Sequence, residues 1–191
     1  MANKPIAFYY DFNDSFSFNV IALLRDLNFE VRIFNHCDFS PEHKADLMVL
    51  GPGPGHPNDY ILTEKVFEHL KRYPDQKWLG VCLGHQILGM SLGLKLIRLE
   101  QPIHGRTLPF EVPPWPIFNA ALIGHKIDVQ FYNSWCLKPD KLASCQLVEF
   151  NNQVFSFSNN QLLGFQFHLE SVGSAFGYKL FVSDFDSVYT E

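Results

Sequence analysis

Long apolar runs, repeats and low-complexity tracts are all lacking in this sequence. The first apolar run, Ile6–Tyr10, ends at Asp11. A run this short cannot form the core of a signal peptide, and it cannot span a bilayer, which takes about 20 apolar residues. We therefore expect neither a secreted protein nor a membrane protein.

Cysteine is also scarce, and basic residues are fewer than acidic ones. The four cysteines form no Cys-x-x-Cys pair, so neither a zinc site nor a disulfide framework is predicted, and a reducing cytoplasm suits the chain. The net charge is −5, whereas a protein that binds nucleic acid usually carries a basic patch. We expect a cytoplasmic protein with no cofactor, no metal and no nucleic-acid partner.

Apolar residues, by contrast, are plentiful enough for a substantial core. The 191 residues are 47% hydrophobic and include 19 Phe. A chain of this length buries roughly 70% of the surface of its unfolded state, so it needs no disulfide or metal to hold it together. No linker is visible, and we predict a single domain over residues 1–191.

The first half of the chain alternates between short apolar runs and helical patterns. This alternation predicts an α/β fold, with an open, mostly parallel central sheet and helices on both faces. Ligand sites in such sheets lie at the carboxyl ends of the strands. The predicted strands are Ile6–Tyr10, Val31–Phe34, Asp46–Leu50 and Lys77–Val81, and the predicted helices are Phe18–Asn28 and Tyr60–Arg72.

The second half predicts a small antiparallel section instead. Residues 95–132 contain many prolines, which favours edge strands and excursions rather than core. A hairpin is expected from Leu142–Phe150 and Val154–Ser158, joined around Asn151 and Asn152. Leu162–Phe167 predicts a further strand, and residues 175–185 predict a closing helix.

A nucleophile elbow is predicted around Cys82. The pattern is Gly80-x-Cys82-x-Gly84, between an apolar strand and a helical face. The sharp turn needs glycines because a Cβ on either side would collide with the tight backbone. The thiol then lies at a helix N-terminus, which favours a thiolate. A buried structural cysteine is the alternative, and the flanking glycines argue against it.

A cysteine nucleophile needs a base, and the base needs an orienting group. Of the eight histidines, His168 directly follows an apolar strand and has Glu170 two residues further on. Residues i and i+2 of an extended chain point the same way, so Glu170 can hold the imidazole. An isolated His-x-Glu pair is more often a surface pair, but its position at a strand end favours a catalytic pair here. His85 is expected to pack or cap rather than catalyse.

The loop after the third strand, Gly51–Pro57, has two functional interpretations and one structural one. It lacks Gly-Lys-Ser/Thr, and its prolines remove N–H donors, so a phosphate cradle is disfavoured. An oxyanion hole suits it better, because the N–H groups of Gly53 and Leu83 could both point at a carbonyl oxygen that Cys82 attacks. A rigid structural turn is compatible with that role.

Together these pieces resemble the class I (triad) glutamine amidotransferases, whose fold is flavodoxin-like. Within that family the chain is most similar to the small glutaminase subunits of anthranilate synthase and aminodeoxychorismate synthase. The resemblance spans nearly the whole chain in the right order. The segments that carry it are Tyr10–Phe16, Gly51–Gly55, Gly80–Gln86, His104–Arg106 and Gly164–Ser171.

The resemblance implies a role for each residue of the site. Cys82 would be the nucleophile, His168 the base and Glu170 the orienting carboxylate, with Gly53 and Leu83 as the oxyanion hole. The residues implied to contact the substrate glutamine are Gly53, Pro54, Gly55, Gln86, Ser134 and Trp135.

The chain departs from the family pattern at two positions. Leu169 stands where the family usually has proline between the last His and Glu, and Asn133 stands where a Tyr-His-Ser segment has histidine. Proline fixes φ and removes a donor, so the backbone around His168 is expected to differ slightly. Asn133 lies in a segment that faces the partner in the family.

The resemblance also implies a partner. Such chains dock on a large chorismate-binding synthase and deliver ammonia to it. The expected contact surface comprises Asp11–Ser15, His56–Asn58 and Asn133–Trp135. Phe12, Phe16 and Trp135 are its expected anchors if they are exposed, because aromatic residues are enriched at interface centres, and they are core residues otherwise.

Two other functions stay open at this point. The chain could be a stand-alone cysteine amidohydrolase of the same fold, or a catalytically silent regulatory subunit. The complete set of Cys82, His168 and Glu170 argues against a silent subunit.

Overall fold

A computed structural model of the chain describes residues 4–141, 145–175 and 177–181. Its nine strands form one large sheet and one small one. The strands are β1 (Ile6–Asp11), β2 (Glu30–Asn35), β3 (Leu47–Leu50), β4 (Lys77–Val81), β5 (Leu96–Glu111), β6 (Lys126–Leu137), β7 (Gln146–Phe150), β8 (Gln153–Ser158) and β9 (Leu162–Phe165).

The large sheet has seven strands in the order β2-β1-β3-β4-β9-β8-β7. The strands from β2 to β9 in this order run parallel, and β8 and β7 are antiparallel additions. The predicted open, mostly parallel sheet with a small antiparallel section is therefore confirmed.

Helices cover both faces of the large sheet. Successive side chains of a strand point to opposite faces, so neighbouring residues pack against different helices. On β1, Tyr9 packs into one core cluster together with helix α1 (Ser17–Asp26). Tyr10 packs into a second cluster with helices α2 (Thr63–Arg72) and α3 (Leu83–Ser91). The buried strands are apolar on both faces, as parallel strands between two layers require.

The prediction that residues 95–132 avoid the core was wrong. β5 and β6 pair into an antiparallel two-stranded sheet, and this region sends eight side chains into the core cluster on the α1 face. Prolines are tolerated because a two-stranded sheet has only edge strands; Pro109, for example, pairs with Asp128. The eight residues are Phe110, Val112, Trp115, Ile117, Phe118, Ile127, Val129 and Phe131.

The helix expected from Tyr60 begins later, at Thr63. A short 3-10 helix, Pro57–Tyr60, comes first. Ile61 then adopts a left-handed conformation with φ 52°, which interrupts any continuous helix. The β-branched side chain of Ile61 gave no hint of this conformation.

The predicted hairpin is confirmed as β7 and β8. Asn151 and Asn152 have φ values of 49° and 59°, the left-handed pair that a two-residue type I′ turn requires. The predicted first strand began at Leu142, but residues 142–144 lie outside the described residues.

Only part of the predicted closing helix falls within the described residues. Gly177–Leu180 forms a 3-10 turn, while residues 176 and 182–185 lie outside. Among the residues that the structure describes, none of the helices combines the length and the apolar character that crossing a bilayer requires.

Candidate active site

The predicted site elements meet at one edge of the large sheet. β1, β3, β4 and β9 are parallel neighbours, so their carboxyl ends lie side by side. The turn after β1, the loop after β3, Cys82 after β4 and the segment leading from β9 to His168 all follow these ends. The sheet topology alone thus brings together segments that are far apart in sequence.

Cys82 occupies a strained turn between β4 and α3. Its φ of 52° and ψ of −100° lie outside the favoured regions for a side chain of this kind, a strain worth about 1–3 kcal/mol. Hydrogen bonds hold the turn on both sides: Cys82 N–H donates to the Phe165 carbonyl at 2.8 Å, and Gln86 N–H donates to the Cys82 carbonyl at 3.1 Å. This is the geometry of a nucleophile elbow.

The two glycines of the elbow are required by close backbone approach. A Cβ on Gly84 would overlap the Leu50 carbonyl oxygen of β3. A Cβ on Gly80 would lie 2.6 Å from the Gly84 carbonyl carbon. A hydrogen bond also joins the elbow to the loop after β3, because Gly84 N–H donates to the Gly51 carbonyl at 3.2 Å.

His168 and Glu170 form a buried pair beside the elbow. His168 Nδ1 lies 2.7 Å from Glu170 Oε1, and the two side chains are 2% and 0% exposed. His168 and Glu170 contact each other as expected, but the chain between them is not extended as expected. The chain turns at residues 169–170, with Ser171 N–H donating to the His168 carbonyl at 3.2 Å, so Glu170 folds back onto the imidazole.

Electrostatics around His168 favour the imidazolium. Burial alone would lower the pKa of His168, but the charge of an ionised Cys82, the contact with Cys82 and the bond to Glu170 outweigh it, so the pKa is raised well above its ordinary value. Glu170 engages Nδ1, so Nε2 is the ring atom of His168 that can exchange a proton with Cys82 or with a bound substrate.

Two aromatic rings enclose His168. The Phe16 ring lies 4.9 Å from the imidazole and the Tyr132 ring lies 5.2 Å from it, measured between centroids. Sequence reasoning left Phe16 as either a partner anchor or a core residue and missed this contact. Nothing in the local pattern around Phe16 indicates a neighbour 152 positions away along the chain.

The expected aromatic anchors differ in exposure. Phe12 is only 1% exposed and stacks on His36 at 5.3 Å, so its role as an exposed anchor was wrong. It is buried because it follows β1 directly and packs under the loop after β3, where a Cβ on Gly53 would lie 2.5 Å from Phe12 Cβ. Phe16 and Trp135 are half-buried.

A chain of amides connects Cys82 to β6. The Gln166 amide nitrogen lies 3.7 Å from Cys82 Sγ, and the Gln86 amide nitrogen bonds to Gln166 Oε1 at 3.1 Å and to the Trp135 carbonyl at 2.8 Å. Both hydrogens of the Gln86 amide are engaged, which leaves its Oε1 for a substrate. Sequence reasoning gave Gln166 no role; a polar residue in an otherwise apolar strand was the available signal.

The two expected oxyanion-hole residues lie against each other. A Cβ on Gly53 would sit 2.5 Å from Leu83 Cδ2. Leu83 is the first residue of α3, a position whose N–H has no partner within the helix. Pro54 and Gly55 are exposed on the same loop, and the Tyr60 hydroxyl braces it by donating to the Pro54 carbonyl at 2.7 Å.

Ser134 and Trp135 lie on β6 at the rim of the site. Ser134 Oγ is 3.2 Å from His104 Nε2. The Trp135 carbonyl accepts the Asn133 amide at 3.0 Å in addition to that of Gln86, and the Trp135 ring meets His56 edge-on at 4.6 Å. Asn133, one of the two departures from the family pattern, is thus buried in the wall of the site rather than presented to a partner.

His85 serves packing. It is fully buried, its Nε2 lies 3.2 Å from the Val154 carbonyl, and its ring stacks on Phe157 at 4.8 Å. Burial lowers the pKa of His85 to about 3, so the ring stays neutral. This is the packing role expected for it.

Solved structures share the α/β fold of the chain. A candidate GMP synthase component from Thermoplasma acidophilum superposes with a TM-score of 0.83 and 19% identity, covering 99% of this chain and 96% of the other. A glutamine amidotransferase from Thermotoga maritima has a TM-score of 0.68 and 17% identity, covering 88% of this chain and 77% of the other. At these identities the likeness concerns the fold alone.

Sequence comparison identifies the family. The model of the family "Glutamine amidotransferase class-I" matches residues 8–188, and the chain belongs to that family. It is a glutamine amidotransferase, as the resemblance implied.

Curated relatives of similar length extend the comparison. Anthranilate synthase component 2 of Pseudomonas aeruginosa is 30% identical over 87% of this chain and 88% of its own. The aminodeoxychorismate/anthranilate synthase component 2 of Bacillus subtilis is 28% identical over 87% and 89%. Aminodeoxychorismate synthase component 2 of Escherichia coli is 29% identical over 87% and 92%.

Proposed function

We propose that the chain is a glutaminase subunit that hydrolyses L-glutamine through Cys82, His168 and Glu170 and delivers the ammonia to a chorismate-using synthase. The observation that carries this proposal is the strained Cys82 elbow beside the buried His168–Glu170 pair. The side chain of His168 is 2% exposed and that of Glu170 is 0% exposed. A buried ion pair without a task would be a costly feature of a core.

The reaction would begin with attack of the Cys82 thiolate on the side-chain amide carbon of glutamine. The C–N bond breaks, and the departing nitrogen takes a proton from the His168 imidazolium, which gives ammonia and a thioester on Cys82. Neutral His168 then accepts a proton from water as the water attacks the thioester, and glutamate leaves as the thiolate is restored. The raised pKa of His168 suits it to hold the first proton.

The neighbouring loops would stabilise the intermediates. The N–H groups of Gly53 and Leu83 would donate to the oxyanion that forms on the amide oxygen. Gln86 of α3, together with Pro54 and Gly55 of the loop after β3, would contact the substrate. The backbone of Ser134 and Trp135 would bind its α-amino acid group. The contacts between Gly53 and Leu83, and between Gln86 and Trp135, support this arrangement.

The partner would be the large chorismate-binding component of an anthranilate or aminodeoxychorismate synthase. The relatives named component 2 support this choice. A protected route for ammonia has a chemical reason, because ammonia in neutral water is mostly protonated and unreactive. Residues 1–191 would form a single domain that supplies the glutaminase activity, would need no cofactor, and would act in the cytoplasm.

A partner test follows from this proposal. Ammonia release at saturating glutamine is expected to be slow for the chain alone and to rise markedly when the cognate synthase is added, because docking completes the site. The measurement is steady-state ammonia release with and without the synthase, together with gel filtration. Full activity alone, with no complex, would contradict the proposed dependence on a synthase and favour a stand-alone amidohydrolase.

Glu170→Gln is expected to reduce kcat by about 10²-fold and His168→Ala by about 10⁴-fold, because Glu170 orients the imidazole while His168 itself transfers the protons. Glu170→Gln should also lower the pKa of His168, since the carboxylate is one of the groups that raise it. Ammonia-release kinetics and an NMR titration of the His168 ring give the two readouts. Glu149→Gln, on an exposed position of β7, is the control; wild-type rates in both triad variants would be incompatible with the proposed roles.

A further inference from the structure

Gln166 is a fully buried polar residue to which the proposed reaction assigns no task. It directly follows β9 and lies between the apolar residues Phe165 and Phe167. Its backbone N–H donates to the Phe155 carbonyl at 2.9 Å, so the sheet fixes where its side chain begins. A buried amide is costly unless it is hydrogen-bonded, and the bonds of its side chain therefore indicate its purpose.

The orientation of the Gln166 amide follows from a backbone carbonyl. The Trp135 carbonyl can only accept a hydrogen bond, so the atom of Gln86 that faces it at 2.8 Å is the amide nitrogen. The same nitrogen lies 3.1 Å from the Gln166 side chain, where its second hydrogen needs an acceptor, and that acceptor is Oε1. Gln166 therefore turns its own amide nitrogen to the other side.

That nitrogen faces the sulfur of the elbow. Gln166 Nε2 donates to Cys82 Sγ at 3.7 Å, and both side chains are buried. A thiolate only accepts hydrogen bonds, so an N–H group suits it better than it suits a neutral thiol. Hydrogen bonds to an ionised partner are also stronger than those between neutral groups. The contact thus favours the ionised sulfur, which is the nucleophilic form.

The amide is a donor of a different kind from His168. In the proposed reaction the imidazolium passes its proton to the departing nitrogen, whereas an amide keeps both of its hydrogens throughout. Gln166 can therefore donate to the sulfur when the thiolate attacks the substrate and again when it leaves the thioester.

We propose that Gln166 is a further catalytic residue: its amide N–H donates to the Cys82 thiolate, and Gln86 holds that amide in the donating orientation. Asn133 supports the arrangement, because its amide occupies the same Trp135 carbonyl at 3.0 Å. The effect on turnover rests on the proposed glutaminase function, whereas the hydrogen bond to the sulfur can be measured without a substrate.

Gln166→Met tests the proposal because methionine is of similar length and has no amide N–H. The measured quantity is the rate at which iodoacetamide, a small neutral reagent, alkylates Cys82 at each pH, read by peptide mass spectrometry. Only the thiolate reacts, so the loss of a donor should move the rise of this rate to higher pH by about one pH unit. Turnover of glutamine at neutral pH should fall by about tenfold, as for a lost bond to a charged group.

Gln161→Met is the matched control. Gln161 immediately precedes β9, at the opposite end of that strand from Cys82, and its amide donates to the Tyr73 carbonyl at 3.0 Å. The same substitution there also removes a hydrogen-bonded amide, and it should leave the alkylation profile of Cys82 as in the wild type.

Gln86→Met tests the orientation of the amide separately. It leaves Gln166 in place but removes the bond that fixes which end of its amide faces the sulfur, so the rise of the alkylation rate should again move to higher pH. Because both substitutions act through one hydrogen bond, the double variant should show no larger shift than Gln166→Met alone. If Gln166→Met folds poorly, Gln86→Met decides, and an unchanged profile in it would overturn the proposal.

The possible outcomes are distinct. Wild-type alkylation and wild-type turnover in a folded Gln166→Met variant would overturn the proposal and leave Gln166 as a packing residue. If the wild-type chain, alone and with the synthase, released no ammonia from glutamine, the proposed function would fail. The alkylation profiles would still decide in that case whether Gln166 donates to the Cys82 thiolate.

Discussion

Cys82→Ser is expected to reduce glutamine hydrolysis by at least about 10⁴-fold while leaving the fold intact. A serine hydroxyl is far harder to ionise than a thiol, and the strained elbow holds either side chain in the same place. Steady-state ammonia release, with and without the synthase, measures the loss. A variant that kept more than a few per cent of the wild-type rate would contradict nucleophilic attack by Cys82.

The remaining cysteines provide the internal control for that experiment. An electrophilic glutamine analogue should label Cys82 and leave the other three largely untouched, as peptide mass spectrometry can show. Cys136 is buried and burial raises its pKa to about 11, so its thiol is unreactive. Cys37 is exposed, and excess free glutamine should protect Cys82 but not Cys37. Equal labelling of all four would count against an activated Cys82.

Gly84→Ala is the second substitution with a large expected effect. Its methyl group would overlap the Leu50 carbonyl oxygen, a backbone atom that cannot move without displacing β3. We expect a loss of about 3 kcal/mol in the free energy of unfolding. We also expect a drop in kcat of about 10²-fold, because a displacement of about 1 Å suffices for that. Urea unfolding and ammonia release in the folded range measure the two effects.

Gly93→Ala separates steric overlap from backbone strain. Gly93 has a φ of 95°, but a Cβ there would meet no atom within 4 Å. The substitution should cost about 1 kcal/mol for the left-handed conformation and leave kcat unchanged. If Gly84→Ala behaved like Gly93→Ala in both measurements, the close approach of α3 to β3 would not matter for the site.

Much of the fold could be predicted because local patterns coincide with the global architecture. The runs Ile6–Tyr10 and Trp78–Val81 contain no charged residue, which is typical of strands buried on both faces. The elbow was also predictable, because glycine at positions 80 and 84 indicates that another part of the backbone comes too close there for a side chain. Asn151 and Asn152 likewise record the turn conformation that they adopt.

The rest depended on contacts that no local pattern records. The prolines of β5 indicated an edge strand, and β5 is one, but the burial of Phe110 and Phe131 follows from how the two-stranded sheet lies on the large one. The contact between Phe16 and His168, and the burial of Phe12, also depend on tertiary packing. The Glu170 contact was expected for an extended chain and is made by a turn, because Ser171 N–H bonds back to the His168 carbonyl.

One strand supports the site at two separate points. β6 bonds to His168 through Gln130, whose carbonyl accepts the His168 N–H at 2.8 Å. Five residues further along, the carbonyl of Trp135 receives the amide of Gln86. A rigid shift of β6 must therefore move the base and the far wall of the site in concert. A protein that bound to β6 and displaced it would therefore change the positions of His168 and Gln86 together, without contacting Cys82.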